Sequence, residues 1–216
     1  MILPKGTYFV TGIDTDAGKS VATGVLARLL AEEGASVMTQ KFVQTGNEEF
    51  SEDIAMHRNI MGIGMQEYDL DHTTAPEIFP YPASPHFAAQ LAGRKIDLSR
   101  IENATRLLAA EYDIVLIEGA GGLMVPLDGF YTTADYIAGN DLPVIIVTSG
   151  KLGSINHTLL TLEVCHSRGI KLAALVFNHW PKGNPQITVD TLDYFYRWID
   201  CFQPGVPVIE IPVIEL

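Results

Sequence analysis

A glycine-containing turn near the start of the chain restricts the folds that this sequence can adopt. Residues 12–20, with the sequence GIDTDAGKS, follow the apolar run 8–10 and precede a segment whose apolar residues have helical spacing. A strand, a glycine-rich turn and a helix that opens on Gly-Lys-Ser form a phosphate-binding loop, in which backbone N–H groups and the lysine surround phosphates and the serine hydroxyl can bind Mg²⁺. The turn therefore predicts nucleotide binding.

The spacing of this turn differs from the common phosphate loop. Five residues separate Gly12 from Gly18, so Ile13 stands where the common G-x-x-x-x-G-K-S/T loop has its first glycine. The alternative interpretation is a glycine-tolerant turn with a solvated Lys19. The order of strand, Gly-Lys-Ser and helix favours the phosphate loop.

Length and composition favour one folded domain, residues 1–216, with 47% apolar residues. The sequence has neither a cationic leader nor an apolar run long enough to span a membrane, so we expect a cytoplasmic protein. Cys165 and Cys201 lie far apart, which argues against a disulfide framework and a zinc site. The net charge of −12 argues against a nucleic-acid partner.

Strand-like and helix-like segments alternate along the chain. The predicted strands are residues 8–10, 36–40, 113–118, 142–148, 172–177 and 208–211. The predicted helices are residues 21–33, 51–61, 86–92, 97–110, 133–139, 154–168 and 188–199. This alternation predicts an α/β fold with a doubly wound, mostly parallel sheet and helices on both faces, similar to P-loop nucleotide hydrolases.

The carboxyl ends of the predicted strands carry the polar groups of interest. In such a sheet these ends meet at one edge, where ligands bind. Glu118 ends an apolar strand, as the metal-binding acid of a phosphate-loop protein does; the alternative is an acid that faces solvent. Lys41 follows another strand and would be a second cation near a transferring phosphoryl group, or else a surface lysine. Asn178 follows a third strand.

Three further features are less specific. Asp53 is either a Mg²⁺ ligand or an acid favoured by the dipole in the first turn of its helix, and the residues alone favour the second interpretation. The helix start at residues 153–156 offers free N–H groups that suit a carboxylate. The histidines have no metal-ligand spacing and are interpreted as structural or surface residues: His57, His72, His86, His157, His166 and His179. Without a Cys-His pair or a Gly-x-Ser-x-Gly motif, covalent catalysis is disfavoured.

Several segments resemble one family, dethiobiotin synthetase, in order along nearly the whole chain. They are residues 9–20 with the unusual glycine spacing, 41–46 (KFVQTG), 84–86 (SPH), 118–122 (EGAGG), 142–144 (LPV) and 153–157 (GSINH). The resemblance implies an ATP- and Mg²⁺-dependent cyclo-ligase of biotin biosynthesis. Such an enzyme closes the ureido ring of dethiobiotin on 7,8-diaminononanoate with CO₂, through a carbamate and a carbamic-phosphoric anhydride, and releases ADP and phosphate.

The resemblance also implies a role for individual residues. The catalytic residues would be Lys19, Lys41 and Thr15. The nucleotide would contact Asp16, Ala17, Gly18, Lys19, Ser20, Val21, Glu118 and Asn178, with Asn178 at the adenine edge and residues 207–213 over the base. Mg²⁺ would be held by Ser20, Asp53 and Glu118. The substrate would contact Thr15, Lys41 and Thr45, and its carboxylate would bind Gly153, Ser154, Ile155 and Asn156 across the interface of a homodimer.

The sequence departs from the family pattern in places. Family members often have Pro at the position of Phe42 and Glu at the position of Asp16. Residues 179–204 align poorly, so no substrate-binding aromatic is assigned there, and Tyr194 and Tyr196 are interpreted as helix-packing residues.

Three other functions fit parts of the sequence. A partition-type or metal-cluster ATPase has a second lysine five residues before the Gly-Lys lysine, where this chain has Asp14. A cobyrinate-type amidase requires a glutaminase domain, for which 216 residues leave no room. The third alternative, a nucleotide-binding protein without catalytic activity, is left open by the sequence.

Overall fold

The computed structural model describes residues 3–214. In chain order the elements are β1 (Gly6–Gly12), α1 (Lys19–Glu32), β2 (Val37–Lys41), β3 (Gln44–Thr45), α2 (Glu52–Met61), α3 (Glu67–Leu70), β4 (Ile78–Phe79), α4 (Pro85–Leu91), α5 (Leu98–Glu111), β5 (Ile114–Glu118), β6 (Pro126–Asp128), β7 (Tyr131–Thr132), α6 (Thr133–Gly139), β8 (Val144–Ser149), α7 (Ser154–Ser167), β9 (Leu172–Asn178), α8 (Pro185–Phe202) and β10 (Val208–Ile211).

Six strands form the main sheet, in the spatial order β10-β9-β8-β1-β5-β2. All neighbouring strands in it are parallel, which confirms the predicted α/β fold. The register aligns the strand ends: Glu118 of β5 lies opposite both Val10 of β1 and Lys41 of β2, and Asn178 of β9 lies opposite Ser149 of β8. The polar residues that follow the strands therefore share one edge of the sheet.

Helices cover both faces of the sheet. On one face, α1 and α2 pack against side chains such as Val10, Leu116 and Val147. On the other face, α5, α6, α7 and α8 pack against side chains such as Phe9 and Ile117. Every residue of β5 and of β8 is buried, because each strand is covered on both sides. This accounts for the continuous apolar runs in the sequence.

Some element boundaries differ from the sequence prediction. The predicted helix 188–199 is too short: α8 begins at Pro185, where Asn184 caps it by accepting a hydrogen bond from the Gln186 N–H (2.9 Å). Gly153, with φ 97°, takes the N-cap position of α7, and Ser154 is its first helical residue. The short elements α3, β3, β4, β6 and β7 were not predicted, because runs of two to four residues carry no periodicity.

Among the helices within residues 3–214, none combines the length and the hydropathy that a membrane span requires.

Candidate active site

The loop between β1 and α1 explains the unusual glycine spacing. A Cβ on Gly12 would lie 2.8 Å from the Asp14 carbonyl oxygen and 3.1 Å from the aliphatic stem of Lys19, so a larger residue does not fit there. Ile13 can follow, since its side chain packs against the core and its N–H donates a hydrogen bond to the Val147 carbonyl (3.1 Å) in β8. The glycine is therefore required one position earlier than in the common loop.

Gly18 ends the loop under two constraints. Its φ of 79° lies in the left-handed region, and a Cβ would lie 2.2 Å from Asn178 Nδ2. This Nδ2 donates a hydrogen bond to the Ala17 carbonyl (3.2 Å), and Asn178 Oδ1 accepts one from the Trp180 N–H (3.0 Å). The end of β9 is thus fastened directly to the loop.

Four polar side chains from four elements meet beside the loop. Ser20 Oγ, in the first turn of α1, lies 2.8 Å from both Asp53 Oδ1 and Glu118 Oε1. Lys41 Nζ lies 2.5 Å from Asp53 Oδ2 and 2.9 Å from Glu118 Oε1. Glu118 and Lys41 are almost completely buried, whereas the Asp53 side chain is 22% exposed. The Glu118 side chain therefore does not face solvent, and Asp53 does more than complement a helix dipole.

His57 holds the second oxygen of Glu118. Its Nε2 lies 2.6 Å from Glu118 Oε2, and its Nδ1 lies 3.0 Å from Thr39 Oγ1. The Thr39 hydroxyl accepts a hydrogen bond from Arg58 Nη1 (2.8 Å), so we assign its proton to the bond with Nδ1. Since the Glu118 carboxylate accepts, the Nε2–H of His57 donates a hydrogen bond to Glu118 Oε2. His57 was interpreted from the sequence as a structural or surface residue. Its spacing of four residues from Asp53, which places both side chains on one face of α2, is the sequence feature that could have indicated a place in the site.

Burial and charge set the ionisation of the cluster. Burial alone would raise the pKa of Glu118, but Lys41 and the hydrogen bond from His57 outweigh it and hold that pKa far below its usual value. Burial disfavours the charged form of Lys41, yet Glu118 and Asp53 raise its pKa. Burial prevails at Lys19 and lowers its pKa. An anion placed near the Lys19 ammonium would therefore favour its charged form.

Lys19 itself points back over the loop. Its Nζ donates hydrogen bonds to the carbonyl oxygens of Asp14 and Thr15, each at 3.1 Å. The Lys19 ammonium is thus held by the loop that would surround a phosphate chain.

One cavity of about 870 Å³ contains most of the predicted site residues. The predicted residues on its wall are Thr15, Asp16, Gly18, Lys19, Ser20, Val21, Lys41, Thr45, Asp53, Glu118 and Asn178. Ala17 is buried behind this wall, where its carbonyl binds Asn178. Phe42, at the position where the family often has Pro, is buried in the core, with its ring 5.3 Å from that of Phe9 and 4.6 Å from that of Tyr136.

Residues 153–156 are not brought to this cavity. Gly153, Ile155 and Asn156 line a second depression of about 710 Å³, together with residues of α8. Ser154 is buried beside it, with its Oγ 3.3 Å from Ser149 Oγ. Within one chain, the predicted carboxylate site is therefore separate from the phosphate loop.

The oxygen atoms around Ser20 have the chemistry of a magnesium site. Within residues 3–214, no three His, Cys, Asp or Glu side chains are grouped so that they alone could hold a metal ion. Mg²⁺ usually binds one or two carboxylates and completes its shell with phosphate oxygens and water. Asp53, Glu118 and the Ser20 hydroxyl fit that pattern.

Comparison with known proteins places the chain in a family. Residues 6–204 match a family model described as an AAA domain. The ATP-dependent dethiobiotin synthetase BioD 2 of Haemophilus influenzae is 54% identical over 81% of this chain and 91% of that protein. The protein of the same name from Pasteurella multocida is 48% identical over 92% of this chain and 93% of its own length.

Solved structures show the same fold at low sequence identity. A ParA family ATPase from Chlorobium tepidum has a TM-score of 0.54 and 18% identity, over 98% of this chain and 86% of that chain. This similarity supports the fold, whereas the relatives at about half identity indicate the family. The chain belongs to the dethiobiotin synthetase family.

Proposed function

We propose that this protein closes the ureido ring of dethiobiotin on 7,8-diaminononanoate, with CO₂ and ATP as co-substrates, in biotin biosynthesis. The observation that carries the proposal is the convergence of two lysines, two carboxylates and a serine beside the phosphate loop. Membership of the family supplies the reaction, and the cavity supplies groups suited to it. The whole chain then works as one ATP-dependent ligase domain in the cytoplasm.

The proposed reaction needs positioned charge rather than a protein nucleophile. One substrate amine adds to CO₂ and loses a proton to give a carbamate, and a carbamate oxygen takes the γ-phosphoryl group from ATP as ADP leaves. The second amine then attacks the carbonyl carbon, loses a proton and displaces phosphate. Enzymes accelerate phosphoryl transfer chiefly by orienting the groups and stabilising negative charge. Lys19 and Lys41 would supply that charge, and the hydroxyls of Thr15 and Thr45 would orient the carbamate.

Mg²⁺ would be held by Ser20, Asp53 and Glu118. An ion held there would neutralise negative charge on the nucleotide phosphates. Lys41 is already paired with both carboxylates, so it stays cationic and close to the metal ligands. The nucleotide would lie along Asp16, Ala17, Gly18 and Val21, with its base near Asn178.

A second copy of the chain would complete the substrate site. Residues 153–156 form the start of α7, whose N–H groups and dipole suit the substrate carboxylate. They lie outside the cavity of their own chain, which supports a homodimer in which each α7 faces the cavity of the partner.

Phosphate release tests the proposal. Purified protein is incubated with ATP, Mg²⁺ and bicarbonate, with and without 7,8-diaminononanoate. We expect phosphate only when the diamine is present, and dethiobiotin in equal amount. Phosphate release that is unchanged without the diamine would identify a simple ATPase, and no release under any condition would favour a nucleotide-binding protein without catalysis.

A further inference from the structure

Two chain segments leave the sheet side by side at one end of the main cavity. β9 ends at Asn178 and β10 at Ile211, and these two residues are paired in the parallel register. The His179 N–H donates a hydrogen bond to the Ile211 carbonyl (3.0 Å), which keeps the strand ends together. β9 continues into His179 and Trp180, and β10 continues into Pro212, so Trp180 and Pro212 lie on adjacent segments, and both line the cavity.

Trp180, Pro212 and Ile214 form an apolar wall of the cavity, which we call the indole wall. Trp180 is 50% exposed, although an indole of its size gains much from burial. Among residues 3–214, no other aromatic ring packs against it, whereas the second tryptophan, Trp198, lies 5.1 Å from the ring of Phe202. An aromatic face that is left open inside a cavity is a suitable surface for a flat heteroaromatic ring.

Hydrogen bonds of Asn178 connect the Trp180 backbone to the phosphate loop. Asn178 Oδ1 accepts from the backbone N–H of Trp180, and Asn178 Nδ2 donates to the Ala17 carbonyl. The backbone of Trp180 therefore has a defined place relative to phosphates bound in the loop, and its indole lies on the wall of the same cavity.

From these contacts we propose that Trp180 is the stacking platform for the nucleobase, with Pro212 and Ile214 beside it. The proposal rests on the proposed use of ATP and assigns the base contact to a residue of the poorly aligned segment 179–204. In this arrangement Asn178 contacts the edge of the base, and Trp180 stacks on its face.

Fluorescence provides a direct test, because the chain has only two tryptophans. The variants Trp180→Phe and Trp198→Phe each leave one emitting indole. ATP is titrated into the full-length protein without diamine. We expect ATP to quench the wild type and Trp198→Phe, and to leave the emission of Trp180→Phe nearly unchanged. Quenching that persists in Trp180→Phe, or disappears in Trp198→Phe, would overturn the proposal.

A ligand without a base separates stacking from phosphate binding. Inorganic tripolyphosphate and ATP are compared by calorimetry on wild type and Trp180→Ala, whose folding is checked by circular dichroism. We expect the Kd of ATP to rise by about tenfold, as for loss of one base-stacking contact, and that of tripolyphosphate to stay constant. Equal weakening of both ligands, or of neither, would contradict the proposal.

The fluorescence and calorimetry results do not depend on the ligase reaction. These binding measurements contain no diamine, so a protein that binds ATP on Trp180 but makes no dethiobiotin would refute the proposed function alone. A protein that makes dethiobiotin with an unperturbed Trp180 would refute the stacking platform alone.

Discussion

Gly18 shows how a single residue can serve both folding and binding. The variant Gly18→Ala places a Cβ against Asn178 Nδ2, in a left-handed backbone. Asn178 would have to give up its bonds to Ala17 and Trp180, so we expect loss of ATP binding as well as reduced stability.

Gly34 provides the matched control for Gly18. It has φ 94° but nothing within 4 Å of its Cβ position. Gly34→Ala should cost about 1–2 kcal/mol for the backbone conformation alone and leave ATP binding intact. Urea unfolding and ATP calorimetry on both variants check the prediction, which is wrong if Gly18→Ala binds ATP as well as Gly34→Ala does.

His57 is expected to position Glu118. In His57→Ala, Glu118 Oε2 loses its donor, so the carboxylate is free to rotate away from Ser20 and Lys41. Loss of a residue that orients a ligand costs about 10- to 100-fold in metal affinity or activity. A Mn²⁺ titration followed by electron paramagnetic resonance should show this weakening.

His57→Gln is the conservative control, because its amide can reach the same oxygen. It should recover a large part of the Mn²⁺ affinity that His57→Ala loses. If both variants bind Mn²⁺ as the wild type does, His57 has only a packing role.

The site residues differ in how far sequence could predict them. Lys41 and Glu118 end apolar strands, so their place at the sheet edge follows from the alternation of elements. The contacts of His57 with Glu118 and Thr39 join residues 61 and 18 positions apart, and no local pattern reports such a pairing. The indole wall likewise depends on the pairing of β9 with β10.

Helix α2 connects the site to a buried ion pair. Asp53 and His57 reach the site, and the next residue, Arg58, binds both oxygens of Asp69 at 2.8 Å. Asp69 also accepts from Thr74 Oγ1 and caps α3, so α2, α3 and the following loop are held together. Sequence periodicity predicts α2 but gives no sign of its partner, since α3 has only four residues.

Because of the ion pair between Arg58 and Asp69, we expect the free energy of unfolding to fall in acid. Burial opposes the charge on Asp69, but the hydrogen bonds from Arg58 outweigh it and lower the pKa of Asp69 below its value in the unfolded chain, about 3.9. The resulting stabilisation is present above about pH 4 and is lost as pH falls through that value towards the lower pKa of the folded state.

Urea unfolding between pH 6 and pH 3 measures this dependence. The free energy of unfolding of the wild type should fall over the acid part of this range. Asp69→Asn should be less stable at pH 6, with a smaller fall, since residue 69 no longer titrates. Identical pH dependence in the two proteins would show that Asp69 does not contribute to acid sensitivity.

At the scale of the whole molecule, the proposed dimer predicts complementation between two inactive variants. Lys41→Ala removes a group from the main cavity, and Asn156→Asp adds a negative charge where the substrate carboxylate would bind. If each site uses Lys41 of one chain and α7 of the other, a mixed dimer contains one intact site.

Refolding the two variants together at equal concentration should restore about a quarter of the wild-type rate, because half of the dimers are mixed and each has one intact site of two. Activity that stays at the level of the separate variants, although mixed dimers form, would place both residues in the site of a single chain.

The proposed reaction brings the ATP γ-phosphoryl group and a carbamate derived from CO₂ together in one cavity. The most direct measurement uses ¹⁸O-labelled bicarbonate in a short reaction with ATP, Mg²⁺ and 7,8-diaminononanoate, followed by mass spectrometry of the released phosphate. Since a carbamate oxygen bonds to phosphorus and stays there when the C–O bond breaks, we predict one label per phosphate. Unlabelled phosphate, whose fourth oxygen would come from water, would contradict transfer to the carbamate.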